Sequence, residues 1–177
     1  MKKIERIEIE KTFTRFQAEG LHVDRRLLAE LKKEGEYFMI DLEDEDSFYS
    51  LIWQQSDQAR LLTPSDQPCC LSDIGKRFNE MNYTFDQLSK PMHLPRSKHD
   101  PNWFIACEKI YSTFDIEKFG IISVVPANDN EQKQSTAGSF YIFDGMHKTL
   151  VLAVKLLNHE ITFSPIKVLL MLPRRNG

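Results

Sequence analysis

Six consecutive residues, Asp144-Gly145-Met146-His147-Lys148-Thr149, place a carboxylate, an imidazole, an ammonium and a hydroxyl within one turn of chain. They follow "FYIF", a short apolar run with aromatics, and precede "LVLAVKLL", whose apolar residues have helical spacing. A strand that turns directly into a helix leaves the first backbone N–H groups of that helix unpaired, and glycine at the turn lets a ligand approach the main chain. Such a helix start is a seat for phosphate. His147 and Lys148 fall in the first turn, where they reach an anion cradled by the backbone at Gly145 and Met146, and Thr149 adds a hydroxyl. The same residues also read as an ordinary buried helix capped by Asp144, with Lys148 solvated and His147 at the surface. If the turn is a phosphate seat, Gly145→Val is expected to block the ligand without unfolding the protein.

The elements that must position this turn alternate between strand and helix. Ile7 and Ile9 alternate with Glu8 and Glu10 as a half-exposed first strand, and Asp24 caps a helix carrying Leu27, Leu28 and Leu31 that Gly35 closes. "EYFMIDL" predicts a second strand, and "DEDSFYSLIWQQ" a helix whose acids suit the N-terminal dipole. "LLTPSDQPCCLSD" predicts a loop, followed by a helix capped by Ser72 or Asp73 with Ile74, Phe78 and Met81 on one face. The prolines of "KPMHLPRSKHDP" mark a boundary between an N-terminal extension packed on the core, residues 1–90, and a C-terminal module, residues 91–177. The module reads as a helix "NWFIACEKIYSTF", a strand "GIISVVPA", a polar loop from Asn128 to Gly138, a strand "SFYIFDG", a helix to about Asn158 and a strand "PIKVLLML". The pattern is that of a mixed α/β (α+β) protein with a mixed sheet.

Composition narrows the function classes. At 177 residues with 41% apolar content the chain is long enough for a single compact core. It has no apolar run of membrane-spanning length, and "MKKIERIEIEK" lacks the apolar centre of a signal peptide, so a cytoplasmic protein without membrane insertion is expected. Cys69, Cys70 and Cys107 are odd in number, two of them adjacent, and no CxxC or HxxxH spacing occurs. They are expected to be reduced and structural, with no zinc site. Net charge is −3, which excludes a uniformly basic nucleic-acid binder. Residues 1–90 carry 13 lysines and arginines against 18 acids, and residues 91–177 carry 10 against 8, so an anionic ligand is easier to accept in the second half.

Strand, then Asp-Gly-x-His-Lys, then an apolar helix, then a strand, resembles the ParB/sulfiredoxin superfamily, whose members carry Asp-Gly-x-His-Arg variants at this turn. "FDGMHKTLVLAVKLLNHEITFSPIKVLLM" matches that unit in order and spacing, and "EKFGIISVVPA" is similar to the strand before it. The likeness covers roughly residues 92–172. Three departures matter. Met146 stands where sulfiredoxins have their catalytic cysteine, so sulfinate reduction is excluded. No helix-turn-helix pattern follows the motif, which argues against site-specific centromere binding. Lys148 replaces the usual arginine, keeping the charge but losing the bidentate fork. The nearest branch is that of plasmid-encoded fertility-inhibition factors of the oncogenic suppressive activity type.

That resemblance implies ATP hydrolysis and nuclease activity against exported DNA, with the coupling component of a type IV secretion system as partner. In those terms Gly145, Met146, His147, Lys148 and Thr149 bind the nucleotide, and Asp144, His147 and Lys148 are catalytic. Asp144 also holds a metal such as Mg2+ or orients water. Arg96, Lys98, Arg174 and Arg175, with Lys148, are expected to offer DNA a sequence-independent basic surface. No general base is evident, since Glu108, Asp115 and Glu117 lie upstream with nothing in the sequence to bring them to the motif. Two other classes stay open: a nucleotide-dependent small-molecule kinase, and a non-enzymatic partner-binding protein that uses the acidic run "DLEDED", although such a run more often is a solvated helix start.

Overall fold

In a computed structural model, the structure describes residues 5–6, 35–53, 57–63, 69–93, 99–127 and 140–173. Within these, seven strands form one sheet: β1 (Glu5–Arg6), β2 (Gly35–Leu42), β3 (Ile52–Trp53), β4 (Cys69–Cys70), β5 (Ile121–Pro126), β6 (Phe140–Asp144) and β7 (Ile166–Pro173). Their order is β1-β2-β7-β5-β6-β3-β4. The β5/β7 and β3/β6 pairs are parallel and the others antiparallel, so the sheet is mixed. Five α-helices accompany it: α1 (Glu45–Tyr49), α2 (Leu71–Glu80), α3 (Phe85–Leu88), α4 (Pro101–Ser112) and α5 (Met146–Leu157). The mixed α/β class expected from the alternation of elements is the class observed.

α5 is the central helix. Leu150, Val151, Leu152, Ala153, Val154 and Leu156 are all buried, and they share one core with Ile122 and Val124 of β5, Ile142 of β6 and Ile166, Val168 and Leu170 of β7. The strand residues are alternate ones, as they must be to meet a helix on one face. α2 and α4 pack beside α5. α2 comes close because Gly75 has no side chain: a Cβ there would lie 2.6 Å from Leu157 Cδ1. This anchoring fixes the turn at the N-terminal end of α5 against the sheet.

The two halves of the sequence share that sheet. β2 pairs along its whole length with β7, from Gly35 opposite Pro173 to Leu42 opposite Ile166. The boundary near residue 90 therefore divides the sequence but not the sheet. On the C-terminal side of that boundary His99 is buried, stacks on Phe104 with ring centroids 5.2 Å apart and shares a 2.7 Å hydrogen bond with the Leu88 carbonyl.

Several local expectations shift. The helix expected over "DEDSFYSLIWQQ" stops at Tyr49, because Ile52 and Trp53 enter the sheet as β3 and are fully buried there. Asp44 caps α1, accepting from Ser47 N at 2.7 Å and Ser47 Oγ at 2.9 Å. The acidic run thus forms the end of β2 and the start of α1. α2 begins at Leu71 with Cys70 as its cap residue, two positions before Ser72 and three before Asp73, the expected caps. The loop expected over "LLTPSDQPCCLSD" contains β4 and the end of a 3-10 helix, Asp57–Leu62. α3 and a second 3-10 turn, Ile116–Lys118, were not foreseen. Gly35 opens β2, and the helix expected after Asp24, the strand at Ile7 and Ile9 and the loop from Asn128 lie outside the described residues.

Candidate functional site at the β6–α5 turn

β6 ends at Asp144, and Gly145 adopts φ 98° and ψ 19°, a left-handed conformation that suits glycine. Space demands glycine as well. A Cβ at this position would lie 2.8 Å from Ile122 Cγ2 and 2.9 Å from Lys148 Cε. α5 starts at the next residue with Gly145 as its cap residue and no side chain capping it. Its first intrahelical bond runs from Thr149 N to Gly145 O at 2.9 Å. The amides of Met146, His147 and Lys148 therefore have no acceptor within the helix. Asp144, the residue that would cap an ordinary helix here, does not do so.

The strand pair beneath the turn is irregular. Ser123 is the register partner of Asp144 but Val124 is the partner of Ile142, so β6 carries one extra residue at Phe143–Asp144. Bulges of this kind re-aim side chains next to functional sites. Ser123 is buried, and its hydroxyl has no hydrogen-bond partner. In the sequence its mark is a lone hydroxyl in the otherwise apolar run "IISVV".

His147 lies against Trp103 of α4, with ring centroids 4.4 Å apart and an interplanar angle of 31°. Trp103 is itself fixed by edge contacts to Trp53, at 5.8 Å, and to Phe104, at 5.0 Å. The imidazole is thus half-buried with a defined orientation. Burial holds its pKa below the ordinary value, and the charge of Asp144 pulls it partly back. Trp103 thus sets the orientation of the His147 ring.

Lys148 is not solvated. Its ammonium donates to the Ile121 carbonyl at 2.5 Å and the Phe119 carbonyl at 3.3 Å, and lies 5.3 Å from the Phe119 ring centre. It clamps the start of α5 to the chain entering β5. Burial lowers its pKa to about 8, opposed by the charge of Asp144. Below pH 8 the ammonium is charged in both folded and unfolded chains, and its desolvation weighs fully on the fold. Between about 8 and the unfolded value of about 10.4 the folded chain releases this proton first, so stability rises with pH. Urea unfolding of wild type and Lys148→Met across that window is expected to show the difference moving toward wild type by on the order of 1 kcal/mol. A pH-independent difference would contradict the assignment.

Thr149 faces the core. It is fully buried, and its hydroxyl lies 3.0 Å from both the Gly145 and Met146 carbonyls, so it closes the first turn of the helix. Asp144, Gly145, Met146, His147 and Lys148 are brought together at the turn. Arg96, Lys98, Arg174 and Arg175 lie outside the described residues. Of the upstream acids, Glu108 accepts from Ser112 Oγ at 2.7 Å and Asp115 pairs with Lys118 at 3.0 Å, so both are engaged locally. Among the described residues no three histidines, cysteines, aspartates or glutamates cluster as a metal site. The three cysteines are buried and form no disulfide, and no described helix is long and apolar enough to cross a membrane.

No protein-family model matches this chain, and neither does any curated protein or solved structure.

Proposed function

We propose that the β6–α5 turn seats the phosphates of a nucleotide and that the chain is a phosphoester hydrolase of the ParB/sulfiredoxin kind. The observation that carries this reading is the uncapped start of α5. Three amides without helical acceptors follow a left-handed glycine, on a helix whose remaining turns are locked in the core. Phosphate oxygens complete those amides, and the partial positive charge of the helix end favours them. His147, oriented by Trp103 and with its pKa lowered by burial, presents a neutral imidazole whose ring N–H can donate a hydrogen bond to the phosphoryl oxygens. Lys148 adds a positive charge from the side, through its present position or after leaving the two carbonyls.

Asp144 is the residue that would hold Mg2+. One carboxylate together with substrate phosphates and water is a common Mg2+ arrangement, so the donor set fits, and the ion would neutralise phosphate charge. The ligand we favour is ATP. The same ingredients serve cleavage of a DNA phosphodiester, with Arg96, Lys98, Arg174 and Arg175 supplying sequence-independent, salt-sensitive attraction.

On this reading the chain acts as a fertility-inhibition factor, blocking conjugative or T-DNA transfer through a type IV secretion system whose coupling component it engages. A mating assay tests the biological part. Cells carrying this protein are expected to lose transfer of a second plasmid, and the purified protein is expected to release phosphate from ATP and to nick DNA. Undiminished transfer would refute fertility inhibition. Purified protein that neither binds nor hydrolyses ATP would refute the enzyme.

A further inference from the structure

At the opposite end of α5 from the turn, the C-terminal ends of α2 and α5 and the start of α3 surround a cleft of about 360 Å3. That volume is within the range of small-molecule sites. Phe78, Phe85 and Val154 give it an apolar base, each no more than 5% exposed. Its remaining lining is three asparagines, two tyrosines and Thr84, and no charged side chain contributes. The neighbouring charges are occupied with each other: Lys155 donates to Glu160 Oε2 at 2.9 Å, and Tyr111 donates to Glu160 Oε1 at 2.5 Å.

The hydrogen-bonding groups at the mouth are partly unused. Asn79 Nδ2 donates to Asn158 Oδ1 at 2.8 Å, which orients Asn79 and leaves its own carbonyl oxygen to accept. Asn82 adopts a left-handed φ of 53°, closing α2 through its backbone N–H to the Asn79 carbonyl at 3.0 Å. Among the described residues neither the Asn82 amide nor the Tyr83 hydroxyl forms a hydrogen bond, and Tyr83 is 38% exposed.

We propose that this cleft binds an adenine base, presented by a free nucleoside or by a single-stranded nucleic acid. The Asn82 amide carries a free donor and acceptor in one plane, the arrangement that matches the amino group and ring nitrogen on one edge of adenine, and Asn79 adds the acceptor oxygen that its bond to Asn158 leaves open, while Asn158 itself is engaged by Asn79 and Glu160. Aromatic rings beside such amides stack an unpaired base. The uncharged lining leaves phosphates in solvent. This distinguishes the cleft from the turn, so the inference stands whether or not the phosphate seat is correct.

Amide-resolved NMR titration of the full chain tests it, using adenosine, an adenine-only DNA oligonucleotide and glucose as probes. Adenosine at millimolar concentration is expected to shift the signals of residues 79, 82–85 and 158. Tyr83→Ala and Asn82→Ala, both on exposed positions, are each expected to weaken binding about tenfold with the spectrum otherwise unchanged. Tighter binding of the oligonucleotide through the same residues identifies a strand as the source, and equal or weaker binding identifies the nucleoside. The proposal is overturned if adenosine causes no shifts, if its shifts are confined to residues 144–148, or if glucose occupies the cleft and adenosine does not.

Discussion

Gly145→Val lowers the stability of the protein by about 3 kcal/mol: roughly 1–2 kcal/mol from the left-handed backbone and about as much again from overpacking. Sequence reasoning expects this substitution to block phosphate without disturbing the fold. The structure corrects that, because a side chain at 145 collides with Ile122 and displaces the Lys148 stem. Ile122 is fully buried and has no room to retreat. The urea midpoint of the valine variant should fall accordingly, and any protein that stays folded should no longer bind ATP phosphates at the turn. A variant as stable as wild type would show that the turn is looser than the 2.8 Å and 2.9 Å approaches require.

Asp144→Ala and His147→Ala are each expected to reduce ATP turnover about a hundredfold or more, the usual scale for losing an acid–base or charge-stabilising group. DNA nicking should fall with it, since one site is proposed for both reactions. Stability separates chemistry from packing. The Asp144 carboxylate has no hydrogen bond among the described residues, but its charge supports the largely buried Lys148 ammonium, so its loss should cost about 1 kcal/mol and leave the protein folded. His147→Ala also removes a ring from Trp103, at a cost of about 1 kcal/mol. His147→Phe keeps a ring on Trp103 but no proton to give, and should be stable and inactive. If plasmid transfer stays suppressed in these variants, the protein acts by occupying a partner and not by catalysis.

The parts of the fold that were legible in the sequence are those whose signal is local. The apolar spacing from Leu150 to Leu157, the β-branched run from Ile121 to Val125 and the run from Ile166 to Leu172 each correspond to an observed element. The helix expected from Asn102 is observed as α4, starting one residue earlier at Pro101 with Asp100 as its cap. What was not legible depends on distant chain. α1 ends early because the sheet takes up Ile52 and Trp53, with Trp53 packed on Trp103 fifty residues away. α2 starts early because the Asp73 carboxylate accepts from the Cys70 thiol at 3.1 Å and does not cap the backbone. The insertion of β5 between β6 and β7 follows from no local pattern.

The site divides in the same way. The left-handed glycine and the helix start after Asp144 are written in six consecutive residues. The orientation of His147 is set by Trp103, and that of Lys148 by carbonyls at 119 and 121, so neither could be read locally. Thr149 shows the opposite hazard. Its place in the motif suggests a ligand, but a threonine one turn into a buried helix bonds more readily to the carbonyls three and four residues before it.

Amide-resolved NMR of the wild-type chain titrated with ATP tests the phosphate seat most directly. The largest shifts are expected at the backbone N–H groups of Met146, His147 and Lys148, with saturation, and inorganic tripolyphosphate should reproduce them. Saturable ATP shifts elsewhere that leave those three amides unmoved, or no response to either ligand, would contradict it.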